Sequence, residues 1–176
     1  MLNKDRERMV ATQIEARGIA DPFVLDAMRT VPRECFVPES LAKFAYEDGP
    51  LLIGSGQTIS QPYIVAAMTA AVGLKPGACV LEGDGSLGWP EHAPYDAILV
   101  TAGGPRVPKA LLHQLAVGGR LVMPVGGATR MQRLVRVTRA DTHEYEYEDL
   151  EEVAFVPLIG AEGWPEEGAT SCTSTS

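Results

Sequence analysis

The 176-residue chain is long enough for one domain with its own core, and its 45% hydrophobic and 22% charged residues are ordinary for a soluble globular protein. A net charge of -8, with no cluster of basic residues, argues against nucleic acid or anionic membranes as partners. No apolar run reaches the roughly 18 residues of a membrane span, and the charged N-terminus lacks a signal-peptide core, so a cytoplasmic protein is predicted.

The first half of the chain carries helical patterns. Apolar residues at helical spacing predict an amphipathic helix over residues 3–17, which Gly18 ends. Asp21-Pro22 has the residues of a helix cap and first turn, and Pro62 opens a further helix that runs to about Val72. The connecting segments are predicted as a loop or short extended piece at 33–37, a short helix at 39–46 and a polar loop at 48–61.

The second half changes to strand patterns. The run Ala78–Leu81 is wholly apolar, as a buried parallel strand would be. Further strands are predicted at Tyr95–Thr101, Arg120–Val125, Gln132–Arg139, His143–Leu150 and Val153–Ile159, with a helix at Pro108–Leu115. This order predicts an α/β sheet with an antiparallel edge, in one domain over residues 1–162. Residues 163–176, rich in Gly, Glu, Ser and Thr, are predicted to be a disordered tail.

A literal G-x-G-x-x-G motif stands at Gly83–Gly88, directly after the strand predicted at Ala78–Leu81. Such a motif binds dinucleotide phosphates when it opens a helix whose N-terminus faces the ligand. Here Trp89-Pro90 follows at once, and only 13 residues separate Glu82 from Asp96. Because a crossover needs a dozen or more residues, usually helical, a dinucleotide site is the least favoured interpretation.

The segment Gly54–Pro62 places five hydroxyl or amide side chains within nine residues. These groups can donate to and accept from a polar substrate. An ordinary capped turn, with Ser60 as the N-cap and Pro62 in the first helical turn, explains the same residues equally well. The proline-bracketed segment Val31–Pro38 is, on its own, interpreted as a packed connector. The pattern alone leaves Gly54–Pro62 open between a helix cap and a site.

Three cysteines and three scattered histidines give no sign of a disulfide framework or a metal site. Cys35 and Cys79 lie among apolar neighbours and are predicted to be small core residues. Cys172 lies in the polar tail, and an odd, sparse number of cysteines fits a reducing compartment.

Several short segments, spread over about residues 5–160, form a recognisable set. The most specific is Gln57-Thr58-Ile59-Ser60-Gln61-Pro62. The others are Val31-Pro32-Arg33 with Phe36-Val37-Pro38, Ala45-Tyr46 with Asp48, Val80-Leu81-Glu82, Gly83-Asp84-Gly85, Gly88-Trp89, Tyr95-Asp96-Ala97-Ile98, Gly118-Gly119-Arg120-Leu121-Val122 and Phe155-Val156-Pro157-Leu158. In this order the set resembles the protein-L-isoaspartate O-methyltransferase family.

The resemblance implies a doubly wound α/β fold with N-terminal helices that binds S-adenosylmethionine. It implies methylation of the carboxylate of isoaspartyl residues in damaged proteins or peptides, after which the ester collapses to a succinimide that can reopen to aspartate. A carboxylate is already a nucleophile at neutral pH, so this chemistry asks mainly for positioning. The residues matching the family's functional positions are Ser60 as the active-site serine, Gln57, Thr58, Ile59 and Pro62 as substrate-binding residues, and Asp84 and Gly85 as cofactor contacts on the adenine side.

The chain departs from the family pattern at one place. In the family, the strand ending in Val-Leu-Glu leads through a glycine-rich loop, a helix and a second strand with an acidic residue for the ribose to a third strand ending in Gly-Asp-Gly. Here Glu82 joins Gly83 directly, so central βα units are missing. One βαβ unit takes about 30 residues. We therefore predict weak or absent S-adenosylmethionine binding and exposed apolar surface on the strands next to the gap.

Three functions stay open at this level. The first is a cytoplasmic, monomeric methyltransferase that acts on isoaspartyl-containing proteins, without nucleic acid or membrane partners. The second is a non-catalytic remnant that binds peptides through residues 54–62. The third is a dinucleotide-binding protein that uses Gly83–Gly88, which the following prolines disfavour.

Overall fold

A computed structural model describes residues 2–54, 56–75, 77–83, 86–127 and 131–165. The chain divides into two compact units, Met1–Cys79 and Val80–Ser176, and each is described by itself. The single domain predicted over residues 1–162 stays a prediction. So does the disordered tail, of which residues 166–176 lie outside the described residues.

Three helices form the frame of the first unit. Helix α1, Leu2–Met9, continues through a π-helical turn at Val10–Ile14 and a 3₁₀ turn at Glu15–Arg17, so residues 3–17 are helical as predicted. Helix α2, Pro22–Thr30, is capped by the Asp21 carboxylate, which accepts hydrogen bonds from two backbone N–H groups of the first turn. Helix α3 spans Pro62–Val72. These elements enclose a small core, whose buried members are Met9, Val10, Ile14, Val24, Leu25, Ala45, Tyr46 and Ala66.

The polar loop predicted at 48–61 is wrong, because this stretch contains a β-hairpin. Strands β1, Leu51–Gly54, and β2, Gln57–Ile59, pair antiparallel, with Leu51 opposite Ile59 and Leu52 opposite Thr58. Most of their side chains are exposed, so the two strands lack the alternation of apolar and polar residues that marks a half-buried strand in a sequence. The two preceding segments form 3₁₀ turns, at Arg33–Phe36 and Glu39–Phe44.

A mixed four-stranded sheet forms the second unit, with the order β3-β4-β5-β6. Strands β3 and β4 are parallel, whereas β5 pairs antiparallel with both β4 and β6, as the alternating sequence patterns predicted. The short helix α4, Lys109–His113, leads into β4 and packs Leu111 into the core. The strand bounds are Tyr95–Leu99, Leu115–Gly126, Gln132–Asp141 and Glu144–Val153 for β3 to β6.

The buried strand predicted at Ala78–Leu81 is wrong. Residues 78–83 have no regular structure, and the side chains of Val80 and Leu81 are 76% and 45% exposed. The connection from this segment to β3 is too short for the crossover that two parallel strands of one sheet require, and the 3₁₀ turn Pro90–His92 is the regular structure among its described residues. Val80 and Leu81 form exposed apolar surface next to the gap, as predicted.

Two smaller predictions also fail. The apolar run Val153–Ile159 is not a strand, since β6 ends at Val153 and isolated bridges follow, from Pro157 to Gly103 and from Ile159 to Trp164. Cys35 and Cys79 are exposed rather than in the core. Val153 and Leu158 of the run Val153–Ile159 are nevertheless buried, so its apolar character reflects packing outside a regular strand.

Candidate functional site

The residues predicted to handle substrate lie between β2 and α3 in the first unit. Gln57 and Thr58 are exposed on β2, whereas Ile59 and Ser60 are half-buried and Pro62 is buried at the start of α3. The interpretation of Ser60 as the helix cap is wrong, because the capping position belongs to Gln61, whose side chain makes no capping bond. Within the described residues the Ser60 hydroxyl has no hydrogen-bond partner, so it is free to contact a ligand.

The backbone of Ser60 is held by Arg33. The Arg33 Nη2 atom donates to the Ser60 carbonyl oxygen at 2.6 Å, and its Nε atom donates to the Ala45 carbonyl oxygen at 2.8 Å. Arg33 is 7% exposed, and none of the ion pairs among the described residues includes it. Burial away from water lowers the pKa of its guanidinium to about 10. A buried cation is therefore balanced by backbone carbonyl oxygens of two separate segments.

A second set of contacts holds the neighbouring Gln61. Its Nε2 atom donates to the Asp48 carboxylate at 3.1 Å, and the same carboxylate pairs with Arg17 at 3.4 Å. The Arg17 guanidinium also lies 3.3 Å from the ring centroid of Tyr63, in the first turn of α3. Each of these groups is partly exposed, so the ion pair is weak on its own. Together the contacts fix the entry to α3 from a second side.

The residues next to Arg33 and Asp48 complete this support. The Tyr46 hydroxyl donates to the Glu34 carboxylate, and the Tyr46 carbonyl oxygen accepts from Gln13 Nε2 at 2.9 Å. Burial, followed by the hydrogen bond to Glu34, raises the pKa of Tyr46 to about 12. The hydroxyl of Tyr46 is therefore neutral and acts as a donor at physiological pH.

The arrangement suits binding and orientation better than acid-base catalysis. Exposed amide and hydroxyl groups of Gln57, Thr58 and Ser60 can donate to a carboxylate, while the backbone behind them is fixed. Among the described residues, no group of three His, Cys, Asp or Glu side chains could hold a metal ion.

The predicted cofactor residues, Asp84 and Gly85, lie outside the described residues. The second unit has a cavity of about 140 Å³ beside β3, and its lining includes Leu81, Gly83, Trp89, Leu99, Leu111 and Gln114. Pockets for ligands of drug-like size take roughly 300–1,000 Å³. The cavity is smaller than this range, and none of its described lining residues is a carboxylate that could bind a ribose, so these described residues do not fit the cofactor.

Gln114 lines this cavity, and no motif in the sequence pointed to it. Its Nε2 atom donates to the Leu87 carbonyl oxygen at 2.8 Å, and its Oε1 atom accepts from the Trp89 N–H at 2.8 Å. The chain after Gly83–Gly88 enters a three-residue 3₁₀ turn rather than a helix. The dinucleotide interpretation is therefore wrong, because the helix N-terminus that it requires is missing from this described stretch.

Known proteins match the chain along most of its length. The model of the protein-L-isoaspartate(D-aspartate) O-methyltransferase (PCMT) family matches residues 4–83 and 79–163. Protein-L-isoaspartate O-methyltransferase 1 of Rhodopseudomonas palustris (strain HaA2) is 49% identical over 207 residues, which cover 90% of this chain and 84% of the relative. Protein-L-isoaspartate O-methyltransferase 2 of Pelobacter propionicus is 48% identical over 207 residues, covering 90% and 92%.

Solved structures agree on the fold. A protein-L-isoaspartate O-methyltransferase superposes with a TM-score of 0.73 at 24% identity, over 90% of this chain and 67% of that chain. A putative protein-L-isoaspartate O-methyltransferase from Plasmodium falciparum, solved in complex with S-adenosyl-L-homocysteine, gives a TM-score of 0.70 at 19% identity, over 90% and 98%. The predicted α/β methyltransferase-like fold is confirmed.

The same comparisons locate the missing passage. The two segments matched by the family model share residues 79–83, and the alignments with both relatives run over more positions than this chain has residues. The gap therefore falls at or next to residues 79–83, a stretch that includes the Glu82–Gly83 junction. On the extent of these matches, the chain belongs to the protein-L-isoaspartate O-methyltransferase family.

Proposed function

We propose that this protein performs the reaction of its family, methyl transfer from S-adenosylmethionine to the carboxylate of isoaspartyl residues in damaged proteins, as a step of protein repair. The observation that carries the proposal is the half-buried Ser60 hydroxyl, which has no hydrogen-bond partner among the described residues, in a segment that Arg33 and Asp48 hold in place. The curated relatives carry the name of this reaction at 48–49% identity.

Our proposal assigns the substrate side to residues 57–62. Ser60, Gln57 and Thr58 donate hydrogen bonds to the isoaspartyl residue and its flanking backbone, while Ile59 and Pro62 keep the segment packed. An ionised carboxylate needs no base to become a nucleophile, so orientation is the main contribution that these residues can make. A hydrogen bond to a charged group contributes about 1.5–3 kcal/mol, enough to select one carboxylate geometry over another.

S-adenosylmethionine supplies the methyl group in this reaction. Because the described residues of the second unit do not fit the cofactor, we expect its affinity to be well below that of a family member with the complete passage. We therefore expect slow transfer, limited by cofactor binding rather than by peptide binding.

The missing passage favours a second candidate function. A chain that retains residues 57–62, and whose described residues beside β3 do not fit the cofactor, could bind isoaspartyl peptides without methylating them. The two candidates share the substrate side and differ only in transfer.

A methyl-transfer assay with labelled S-adenosylmethionine tests the proposal. We expect slow transfer to an isoaspartyl peptide, and none to the same peptide with normal aspartate, at the highest usable cofactor concentration. Peptide binding by calorimetry without any transfer would support the second candidate instead. Tight, stoichiometric cofactor binding would contradict the predicted weak affinity.

The remaining expectations concern partners and location. Isoaspartyl-containing proteins are the substrates of this family, and we propose the same class here. A monomeric, cytoplasmic protein without nucleic acid or membrane partners stays a prediction. Across the described residues, no helix has both the length and the apolar character needed to cross a bilayer.

A further inference from the structure

Arg33 connects three sequence motifs that lie far apart in the chain. It belongs to the motif Val31–Pro38, one of its partners lies in the motif Ala45–Asp48, and the other lies in the motif Gln57–Pro62. The sequence separations are 12 residues to Ala45 and 27 residues to Ser60. A segment that pattern alone describes as a packed connector therefore reaches the substrate segment.

The chemistry of these contacts is unusual for a structural arginine. A charge taken out of water normally pairs with a carboxylate, but no described ion pair includes Arg33. Its two backbone acceptors are reached by a planar fork of donors, a geometry that Lys, with a single ammonium group, cannot reproduce. The fork fixes the distance between the Ala45 and Ser60 carbonyl groups.

The hydrogen bond from Arg33 to the Ser60 carbonyl oxygen is the contact that reaches the substrate segment. Fixing its oxygen at 2.6 Å from Nη2 fixes the plane of the peptide bond between Ser60 and Gln61. The Gln61 side chain is held independently by Asp48. The Ser60 hydroxyl, which has no described partner of its own, is thus presented by a backbone held on both sides.

We infer that Arg33 is a positioning residue for substrate recognition, acting through the Ser60 backbone rather than by contact with the substrate. This inference rests on the proposed function for its consequence, because the consequence is weaker binding of an isoaspartyl peptide. The claim that Arg33 holds the Ser60 backbone next to the hairpin does not depend on any substrate.

The experiment compares the full-length chain with Arg33→Met, Arg33→Lys and the control Arg29→Met. Arg29 is a partly exposed residue of α2 that pairs with Glu7 and Glu15. Replacing it removes the same charge from the same unit, so this variant controls for the loss of charge alone. Hydrogen exchange is followed at the amides of residues 51–61, and binding of an isoaspartyl peptide is measured by calorimetry. Thermal unfolding of each variant reports global stability.

We expect Arg33→Met to exchange roughly tenfold to a hundredfold faster at residues 51–61 and to bind the peptide at least tenfold more weakly, because a charge-assisted hydrogen bond is lost. Arg33→Lys should recover part of both effects, and Arg29→Met should show neither. Unchanged exchange at 51–61 in Arg33→Met would overturn the inference. Uniformly faster exchange, or unchanged peptide affinity in a folded variant, would reduce Arg33 to a structural residue and overturn it as well.

The outcome also separates this inference from the proposed function. A wild-type chain that binds isoaspartyl and aspartyl peptides equally would contradict the proposed substrate. Locally faster exchange at residues 51–61 in Arg33→Met would then still show that Arg33 braces the Ser60 backbone, whereas unchanged exchange would overturn the inference itself.

Discussion

Replacing Ser60 with alanine tests the candidate site at one atom. The substitution removes only the hydroxyl and leaves the Ser60 carbonyl, with its hydrogen bond from Arg33, in place. Because that hydroxyl has no hydrogen-bond partner among the described residues, its removal breaks no described hydrogen bond of the fold. We expect the free energy of unfolding to change by less than about 0.5 kcal/mol, as for surface substitutions without special contacts.

The effect on the substrate should be larger than the effect on stability. A hydroxyl that donates to a carboxylate contributes about 1.5–3 kcal/mol, which corresponds to roughly a 10- to 100-fold loss. Ser40→Ala is the matched control, because it makes the same change at an exposed serine of the 3₁₀ turn Glu39–Phe44 in the same unit. Peptide affinity and methyl transfer are measured for both variants, with thermal unfolding alongside.

Two results would refute this reasoning about Ser60. Unchanged affinity and transfer in Ser60→Ala would show that the hydroxyl does not contact the substrate. A lower unfolding temperature with proportionate loss of binding would show that the hydroxyl supports the fold, contrary to its lack of a described partner.

Three further predictions follow from buried and exposed groups. Gln114→Leu should destabilise the protein by about 1–3 kcal/mol in urea unfolding, because it leaves the carbonyl of Leu87 and the N–H of Trp89 without their partner. Val80→Asp should leave the unfolding midpoint unchanged and lower the fluorescence of a hydrophobic dye, because this side chain is 76% exposed; an unchanged signal would mean that the dye binds elsewhere. Tyr46, whose pKa is raised to about 12 by burial and its hydrogen bond to Glu34, should ionise near pH 12, so that its contribution to stability falls as pH rises from about 10 to 12; tyrosinate absorbance that is unaltered above pH 11 in Tyr46→Phe would contradict this.

The helices and the antiparallel strands were predictable from the sequence because each has a local signature. Asp21 followed by proline marks the start of α2, and it does cap that helix. The hairpin at 51–59 was not predictable in the same way, since its polar, exposed residues resemble a loop. Its two strands depend on backbone pairing, which leaves no trace in side-chain polarity.

The candidate site also has a part that the sequence predicts and a part that it does not. Ser60 and its neighbours could be chosen from the sequence through the family motif, but the contacts that hold them could not. Arg33 and Asp48 reach this segment across 27 and 13 positions, and such pairings depend on how the unit folds. Ala78–Leu81 shows the converse, because a strand-like sequence stays unpaired when the passage that would provide a proper crossover is missing.

The position of the gap explains why substrate binding and methyl transfer can be separated in this chain. The described long-range side-chain hydrogen bonds that hold residues 57–62 join Ser60 to Arg33 and Gln61 to Asp48, and all four residues are N-terminal to the gap near Glu82–Gly83. The consequences of the gap appear instead at β3, which pairs with β4 alone among the described strands, and at the small cavity beside it. Peptide affinity should therefore match that of a complete family member, while cofactor affinity should be lower. Measuring both affinities on this chain and on a 49%-identical relative decides the point, and an equal loss of both would contradict it.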